Sequence, residues 1–177
     1  LSQLIKEAIA NNIGATIFGY YVDYPKRFGV VEFDDNKKVI SIEEKPDNPK
    51  SNYAVTGLYI YDNRVVEMAK KIKPSKRGEL EITDLNNLYL KDNSLKVKLM
   101  GRGFAWLDTG TMESLLDASN FVELLEKRQG IKISVLEEIA YINGWISKAK
   151  LIDNAKQYGK SPYGTHLINV ANCKIKY

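Results

Sequence analysis

The spacing of apolar residues divides the chain into a first part rich in strands and a second part made of helices. Runs of apolar, β-branched and aromatic residues predict strands at 15–22, 29–33, 38–43, 54–61, 95–100 and 105–107. Apolar residues at three- and four-residue spacing predict helices at 1–12, 65–72, 82–91, 112–128, 136–141, 147–158 and 162–170. This order indicates an α/β body followed by a helical appendage.

Turn and cap residues refine this prediction at three places. The turn at 34–36 predicts a hairpin between the second and third strands. Pro46 predicts that Lys45 before it is extended and that the third strand ends there. Thr111 is predicted to cap the long helix, whose buried side would carry Met112, Leu115, Leu116, Val122 and Leu125.

Composition and charge narrow the class of protein. The 177 residues include 26 basic and 22 acidic side chains, a net charge of +4, and the two signs are interleaved. This balance argues against a nucleic-acid-binding surface. We predict two parts, an α/β domain over residues 1–132 and a helical extension over residues 133–177.

Single cysteine and histidine residues limit the available chemistry. Cys173 alone excludes an internal disulfide and a multi-cysteine metal cluster. His166 has no second histidine with which to bind a metal, and we predict a packing or surface role for it. No apolar run approaches the ~20 residues of a membrane span, and no secretory signal pattern is present. We therefore expect a cytoplasmic protein without membrane contact.

The densest polar cluster in the strand region is Glu43-Glu44-Lys45-Pro46, at the end of a predicted strand. Because neighbouring strand residues point to opposite faces, only one of Glu43 and Glu44 can face a given pocket. A carboxylate beside an ammonium can hold a sugar hydroxyl and a phosphate together. The alternative is a solvated strand end with ordinary surface charges.

Three further positions suit ligand binding. Asp108 follows the predicted strand at 105–107, where a carboxylate could bind Mg²⁺ that carries substrate phosphates; alternatively, Asp108 or Thr109 caps the next helix. Arg77 precedes a helix and could bind phosphate, or it could be a solvated charge. Gly57 lies within a strand, which indicates either close approach of a ligand or a bulge.

The glycines exclude one familiar kind of site. None of the 12 glycines belongs to a G-x-G-x-x-G or P-loop pattern, and the nearest approach is Gly101-Arg102-Gly103. The residues therefore suit a sugar and one metal ion, but they provide no glycine-rich cradle for a nucleotide phosphate.

Taken in order, these motifs and their neighbours resemble the glucose-1-phosphate thymidylyltransferase family of sugar nucleotidyltransferases. The resemblance runs from about residue 15 to 170, through the stretches 18–20, 29–33, 41–46, 49–59, 77–84, 101–103 and 105–110. It implies an incomplete, Rossmann-like α/β fold with a mixed sheet flanked by helices and a helical C-terminal extension. It also implies that a preceding segment, with a glycine-rich loop and a first metal-binding aspartate, is absent.

The resemblance implies a reaction between glucose 1-phosphate and dTTP that gives dTDP-glucose and pyrophosphate. Mg²⁺ is the implied cofactor, deoxysugar precursors such as dTDP-rhamnose are the implied pathway, and a homotetramer is the implied assembly. We expect the isolated chain to be inactive. Two alternatives stay open, namely a non-catalytic sugar-phosphate-binding or oligomer-assembly fragment and a related enzyme that uses another nucleotide.

Residue roles follow from the same resemblance. Glu44 would hold glucose hydroxyls, Lys45 and Arg77 would clamp the sugar phosphate as catalytic residues, and Asp108 would be a catalytic Mg²⁺ ligand. The other residues of the implied substrate site are Gly29, Val55, Gly57, Tyr59 and Trp106.

Two positions depart from the family pattern. Phe28 stands where relatives usually have tyrosine, which removes a hydroxyl near the sugar. Ser134, Glu138 and Ile139 match a regulatory nucleotide site, but Ile142 stands where many relatives have arginine.

Overall fold

The computed structural model describes residues 1–10, 13–130 and 132–174, and it divides into two compact units, Leu1–Trp106 and Leu107–Tyr177. This division falls earlier than the one predicted after residue 132, and the domain organisation stays a prediction. The first unit contains a mixed sheet and three helices. Its elements are α1 (Ser2–Ala10), β1 (Ala15–Tyr21), β2 (Gly29–Phe33), β3 (Val39–Glu44), β4 (Tyr53–Tyr61), α2 (Val65–Ala69), α3 (Ile82–Lys91) and β5 (Leu95–Met100).

The five strands lie in the order β3-β2-β4-β1-β5. β1 runs parallel to β5 and antiparallel to β4, while β2 runs antiparallel to β3 and β4. Lys38, just before β3, forms an isolated antiparallel bridge to Lys96 of β5. The sheet therefore curves, because strands at the two ends of the order meet at this point.

The core of the first unit lies between the sheet and α3. Ile17, Val31, Leu85 and Tyr89 are almost fully buried there, together with apolar residues of β3 and β5. Burial of a large apolar side chain contributes about 1.5–3 kcal/mol relative to exposure. This core fixes α3 against the sheet and so sets the position of the α3 N-terminus.

The second unit is helical. It contains α4 (Met112–Gln129), α5 (Leu136–Ile142), α6 (Lys148–Gln157) and α7 (Pro162–Ala171). Leu151, Ala155 and Leu167 form the centre of its own core. The predicted Thr111 cap is confirmed, since its side chain and that of Ser114 form a reciprocal capping box.

Most predicted elements are confirmed, including the mixed α/β class and the β2–β3 hairpin. The helix predicted over 1–12 is observed over Ser2–Ala10, and its last two predicted positions lie outside the described residues.

Two predictions about the region after β5 are wrong. The strand predicted at 105–107 is absent from the described chain, which is irregular there, because no neighbouring strand offers it a ladder. The α4 residues Met112, Leu115 and Leu116 are exposed. The apolar spacing defines this face of α4, but it does not show whether another element packs against the face.

Candidate functional site

The open end of the β2–β3 hairpin places a glycine beside a carboxylate. Gly29 begins β2, Glu44 ends β3, and the two residues are register partners. Glu43 lies on the opposite face of β3, where its carboxylate is 2.9 Å from Lys50 Nζ. Glu44 is therefore the residue of the pair that faces the other side of the hairpin, as alternation requires.

Thr83, on the first turn of α3, holds the Glu44 carboxylate. The buried Thr83 hydroxyl donates a 2.6 Å hydrogen bond to Glu44 Oε2. A Cβ on Gly29 would lie 3.2 Å from Glu44 Oε2, 3.3 Å from Thr83 Oγ1 and 3.9 Å from Val55 Cβ. Gly29, Glu44, Val55 and Thr83 thus come together at the open end of the hairpin, where a Cβ at position 29 would crowd the Glu44 carboxylate and the Thr83 hydroxyl. We call these four residues the Glu44 pocket.

Tyr59 lies close enough to this pocket for the Glu44 carboxylate to affect its pKa. Burial raises the pKa of the Tyr59 phenol, and the neighbouring Glu44 carboxylate raises this pKa further. Tyr59 stacks on Tyr61 at 5.9 Å between centroids, and the Tyr61 hydroxyl donates to Asn86 Oδ1 at 2.7 Å. Tyr59 is therefore a neutral hydrogen-bonding group at neutral pH.

Lys45 departs from the predicted conformation. Its backbone N–H donates a 3.0 Å hydrogen bond to the Phe28 carbonyl, which continues the hairpin ladder. However, its φ is +44°, so the extended conformation predicted from the following Pro46 is wrong. The extended preference of a residue before proline is overridden here, and the Pro46 that follows is buried. The Lys45 side chain is exposed.

Two other predicted substrate residues lie away from the pocket contacts. Gly57 is exposed on β4, and a Cβ there would have no atom within 4 Å. Arg77 is exposed in the loop before α3, where its guanidinium is 3.0 Å from Glu79 and 3.3 Å from Glu81. Within the described part of the chain, Arg77 makes no hydrogen bond or ion pair with Glu44 or Lys45. Its guanidinium would have to exchange these two acids for a ligand phosphate.

Trp106 is half-buried within the first unit. Its ring centroid lies 5.0 Å from that of Phe28 in an edge-on contact and 5.9 Å from that of Tyr20. Trp106 therefore packs against the residue that directly precedes Gly29. The Phe28 ring has no hydroxyl and fills this position by aromatic contact.

Asp108 is half-buried in the irregular segment before α4, in the second unit. Thr111 is the cap of α4, so the suggestion that Asp108 or Thr109 serves as cap is wrong. A Cβ on Gly110 would lie 3.2 Å from Asp108 Oδ2, so glycine leaves this carboxylate room.

The donor set tests whether these residues fit Mg²⁺. No group of three or more His, Cys, Asp or Glu side chains forms a metal cluster among the described residues. Mg²⁺ is usually bound by one or two carboxylates together with substrate phosphates and water. Asp108 therefore fits as one ligand of such an ion, with the remaining oxygens coming from elsewhere.

The three residues matched to a regulatory site have different environments. Ser134 is exposed with φ +57°, and Ile139 is 40% exposed on α5. Glu138 is buried, and its Oε2 lies 2.5 Å from Nε2 of the buried His166 on α7. The Glu138 carboxylate therefore serves the packing of α5 against α7, and His166 has the predicted packing role.

Sequence reasoning missed Thr83 and Asn86. Both are buried on one face of α3, three residues apart, and both hydrogen-bond a residue of the sheet. Asn86 Nδ2 is buried without a hydrogen-bond partner in the described chain. Polar residues at the buried positions of an otherwise apolar helix face were the available signal.

Comparison with known proteins gives a consistent result. The model of the family described as nucleotidyl transferase matches residues 1–124. Glucose-1-phosphate thymidylyltransferase of Neisseria gonorrhoeae is 56% identical over 169 residues, which are 96% of this chain and 59% of that protein. The enzyme of the same name from Xanthomonas campestris is 50% identical, over 97% of this chain and 58% of that protein.

A solved structure supports the fold assignment. A crystal structure presented as a glucose-1-phosphate thymidylyltransferase from Bacillus anthracis, in complex with sucrose, aligns with a TM-score of 0.60 and 46% identity. The alignment covers 67% of this chain and 47% of that chain. The present chain thus spans about three fifths of the length of the curated relatives above. In the described residues, no helix combines the length and the apolar character needed to span a membrane.

Proposed function

The chain belongs to the nucleotidyl transferase family, and from that premise we propose that it provides the sugar-phosphate half of a glucose-1-phosphate thymidylyltransferase. In the proposed reaction of the complete protein, a phosphate oxygen of glucose 1-phosphate attacks the α-phosphorus of dTTP. One P–O bond forms, the bond to pyrophosphate breaks, and dTDP-glucose results.

The Glu44 pocket is the observation that carries the proposal. Thr83 occupies one carboxylate oxygen of Glu44, and the remaining acceptor capacity suits sugar hydroxyls. Gly29 carries no Cβ that would crowd the Glu44 carboxylate and the Thr83 hydroxyl. Tyr59, as a neutral phenol, adds a hydroxyl that can donate or accept. This combination of small residues and fixed hydrogen-bonding groups matches a sugar better than it matches a planar base.

Lys45 and Arg77 supply the proposed cationic part. The reaction gathers negative charge on phosphoryl oxygens, so positioning and neutralisation account for most of the catalysis. Lys45 lies next to Glu44 in sequence and would hold the phosphate while Glu44 holds the sugar. Asp108 would be a ligand of Mg²⁺, which neutralises phosphate charge when bound.

The remaining expectations belong to the same proposal. We propose dTTP as the nucleotide, deoxysugar precursor synthesis as the pathway, and a homotetramer as the assembly of the complete protein. The regulatory site at Ser134, Glu138 and Ile139 is the weakest of these, because Glu138 is engaged by His166.

The two adjacent glutamates offer a matched test. We expect calorimetry to detect saturable binding of glucose 1-phosphate, and Glu44→Gln to weaken it at least tenfold, since it alters the group that meets the sugar. Glu43→Gln is the control, because the same change lies on the opposite face of β3. Equal affinity for both variants and the parent chain would contradict the proposal.

The second candidate is a sugar-phosphate-binding fragment without catalysis. It is favoured by the glycines, none of which forms a glycine-rich phosphate-binding pattern among the 177 residues. Binding of glucose 1-phosphate together with absent turnover would support this candidate for the isolated chain. Turnover by the isolated chain would exclude it.

A further inference from the structure

The end of β3 presents a geometric problem for two neighbouring residues. Glu43 faces Lys50 on one side of the hairpin, and Glu44 faces Thr83 on the other. If the strand continued beyond Glu44, Lys45 would return to the Glu43 face and Pro46 would fall on the Glu44 face. Glu44 and Lys45 would then be unable to serve one ligand.

The structure departs from that alternation at Lys45. The backbone there is left-handed, with φ +44°, while its N–H still bonds to Phe28. Pro46 is buried on the Glu43 face of the hairpin. It lines a small depression with Val30, Glu32, Ser41, Glu43 and Lys50. Because Glu43 and Pro46 share one face, the alternation of an extended strand, which would place Pro46 on the Glu44 face, is broken at Lys45.

The charge of Lys45 is available for a ligand. Its side chain is exposed, and none of the ion pairs described for this part of the chain involves it. Lys50, by contrast, is committed to the other face through Glu43 and, at 3.9 Å, Glu32. The Lys50 ammonium therefore has a structural role, whereas the Lys45 ammonium can bind an anion.

We propose that Pro46 is a positioning residue that holds Lys45 in this left-handed turn, so that the consecutive residues Glu44 and Lys45 serve a single sugar-phosphate site. The identity of the ligand rests on the proposed function above, whereas the backbone claim does not. A left-handed backbone is costly for a residue with a side chain, and it persists only when its surroundings hold it. Proline disfavours the right-handed helical alternative for Lys45, and burial of its ring offsets the strain.

The backbone claim can be tested without any ligand. Glycine adopts a left-handed conformation at no steric cost, so Lys45→Gly should melt about 2–4 °C above Lys45→Ala. Pro46→Ala frees the backbone at Lys45 to relax. In that background, the difference in melting temperature between Lys45→Gly and Lys45→Ala should disappear. A glycine variant no more stable than the alanine variant, or an advantage unchanged by Pro46→Ala, would overturn the proposal.

Two controls calibrate this measurement. Lys37 also has a left-handed backbone, with φ +61°, but it lies in the β2–β3 turn. The melting temperature of Lys37→Gly should therefore be higher than that of Lys37→Ala whether or not Pro46 is replaced. Pro49→Ala changes a proline in the same loop that does not follow a left-handed residue, and it should leave the Lys45 comparison unchanged.

The functional part is tested by binding of glucose 1-phosphate. Pro46→Ala should weaken binding about tenfold, and it should have no further effect in a Lys45→Met background, because it acts through Lys45. If the losses of affinity caused by Pro46→Ala and Lys45→Met were additive, Pro46 would act through a general structural effect. That result would overturn the positioning role. If the parent chain binds no glucose 1-phosphate, the proposed function of this chain fails, while the melting comparison still decides whether Pro46 holds the turn.

Discussion

Among the described residues, the Thr83 hydroxyl is the hydrogen-bond donor that holds the Glu44 carboxylate. The 2.6 Å bond from Thr83 fixes one carboxylate oxygen, and Thr83 itself is fixed by its burial on α3. A hydrogen bond to a charged group contributes about 1.5–3 kcal/mol when both partners are held in place. Thr83 thereby links the folding of α3 to the geometry of the pocket.

Removal of that hydroxyl should weaken ligand binding without altering the packing volume. We expect Thr83→Val to reduce affinity for glucose 1-phosphate about tenfold, equivalent to about 1.4 kcal/mol, as measured by calorimetry. Thr83→Ser keeps the hydroxyl and should retain most of the affinity. Identical affinities of the valine variant and the parent chain would show that Glu44 needs no such support.

Gly29 provides a steric test of the same pocket. A Cβ there would lie 3.2 Å from Glu44 Oε2 and 3.3 Å from Thr83 Oγ1, so Gly29→Ala should displace both groups. We expect at least a tenfold loss of glucose 1-phosphate affinity in a titration. Gly103→Ala is the control, since its Cβ would have no atom within 4 Å. Comparable affinities for the two variants would argue against a ligand in this space.

At this scale the sequence indicated several members of the pocket but not how they are held. Gly29 was assigned to the substrate site through the family resemblance, Glu44 was singled out from its polar cluster, and the turn at 34–36 predicted the hairpin; the structure pairs the two residues. Thr83 was missed because its partner is 39 residues away, and no local pattern encodes such a distance. Lys45 was predicted wrongly because its left-handed backbone departs from the extended conformation that a following proline favours, and no local pattern indicates that Pro46 is buried.

Among the elements, the joint between β4, α2 and α3 depends on one aspartate. Asp62 Oδ2 accepts hydrogen bonds from the Gly14 N–H at 2.8 Å and from Arg64 Nε at 2.9 Å, while Oδ1 accepts from the Tyr89 hydroxyl at 3.1 Å. Arg64 also reaches Asp92 at 2.6 Å. Hydrogen bonds from Arg64, then from Gly14 and Tyr89, lower the pKa of Asp62 to about 2.

The low pKa of Asp62 predicts how the free energy of unfolding falls at acid pH, which we call the acid limb of the stability profile. Because the folded-state pKa of Asp62 lies below its usual value of 3.8, its contribution is present above about pH 4 and is lost as the pH falls through about 2. We expect Asp62→Asn to lower the free energy of unfolding by about 1–3 kcal/mol at pH 7. The variant should also lose less stability than the parent between about pH 4 and pH 2.

Urea unfolding over that pH range measures both effects. Asp84→Asn is the control, because Asp84 is exposed near the start of α3 and, among the described residues, its carboxylate takes part in no hydrogen bond or ion pair. A parallel pH dependence for Asp62→Asn and the parent chain would show that the Asp62 cluster does not account for the acid limb.

Elements with a strong local signal were predicted well, and those defined by distant partners were not. The β2–β3 hairpin and the capped α4 follow from turn, cap and periodicity signals. The strand expected at 105–107 needed a neighbour that the sheet does not provide. Apolar spacing on α4 likewise defined a face, whereas burial depends on what packs against it.

For the molecule as a whole, the residues present suit binding of a sugar phosphate better than turnover. No glycine-rich phosphate-binding pattern occurs among the 177 residues, and Asp108 is a single carboxylate. We therefore expect no pyrophosphate release above background when the isolated chain is incubated with dTTP, glucose 1-phosphate and Mg²⁺.

A coupled pyrophosphate assay measures this outcome, and the Neisseria gonorrhoeae relative provides the positive control. Release that scales with the concentration of the isolated chain would refute the expectation and would locate a nucleotide site among these residues.

The chain contains two tryptophans, one in each compact unit, and their surroundings differ. Trp106 is half-buried against Phe28 and Tyr20, whereas Trp145 is 73% exposed. Intrinsic fluorescence therefore has a shorter-wavelength contribution from the first unit and a longer-wavelength contribution from the second. A sugar phosphate beside Gly29 should perturb the Trp106 emission through Phe28, while iodide should quench mainly Trp145. Trp106 would thus report on the proposed binding site optically, without an added label.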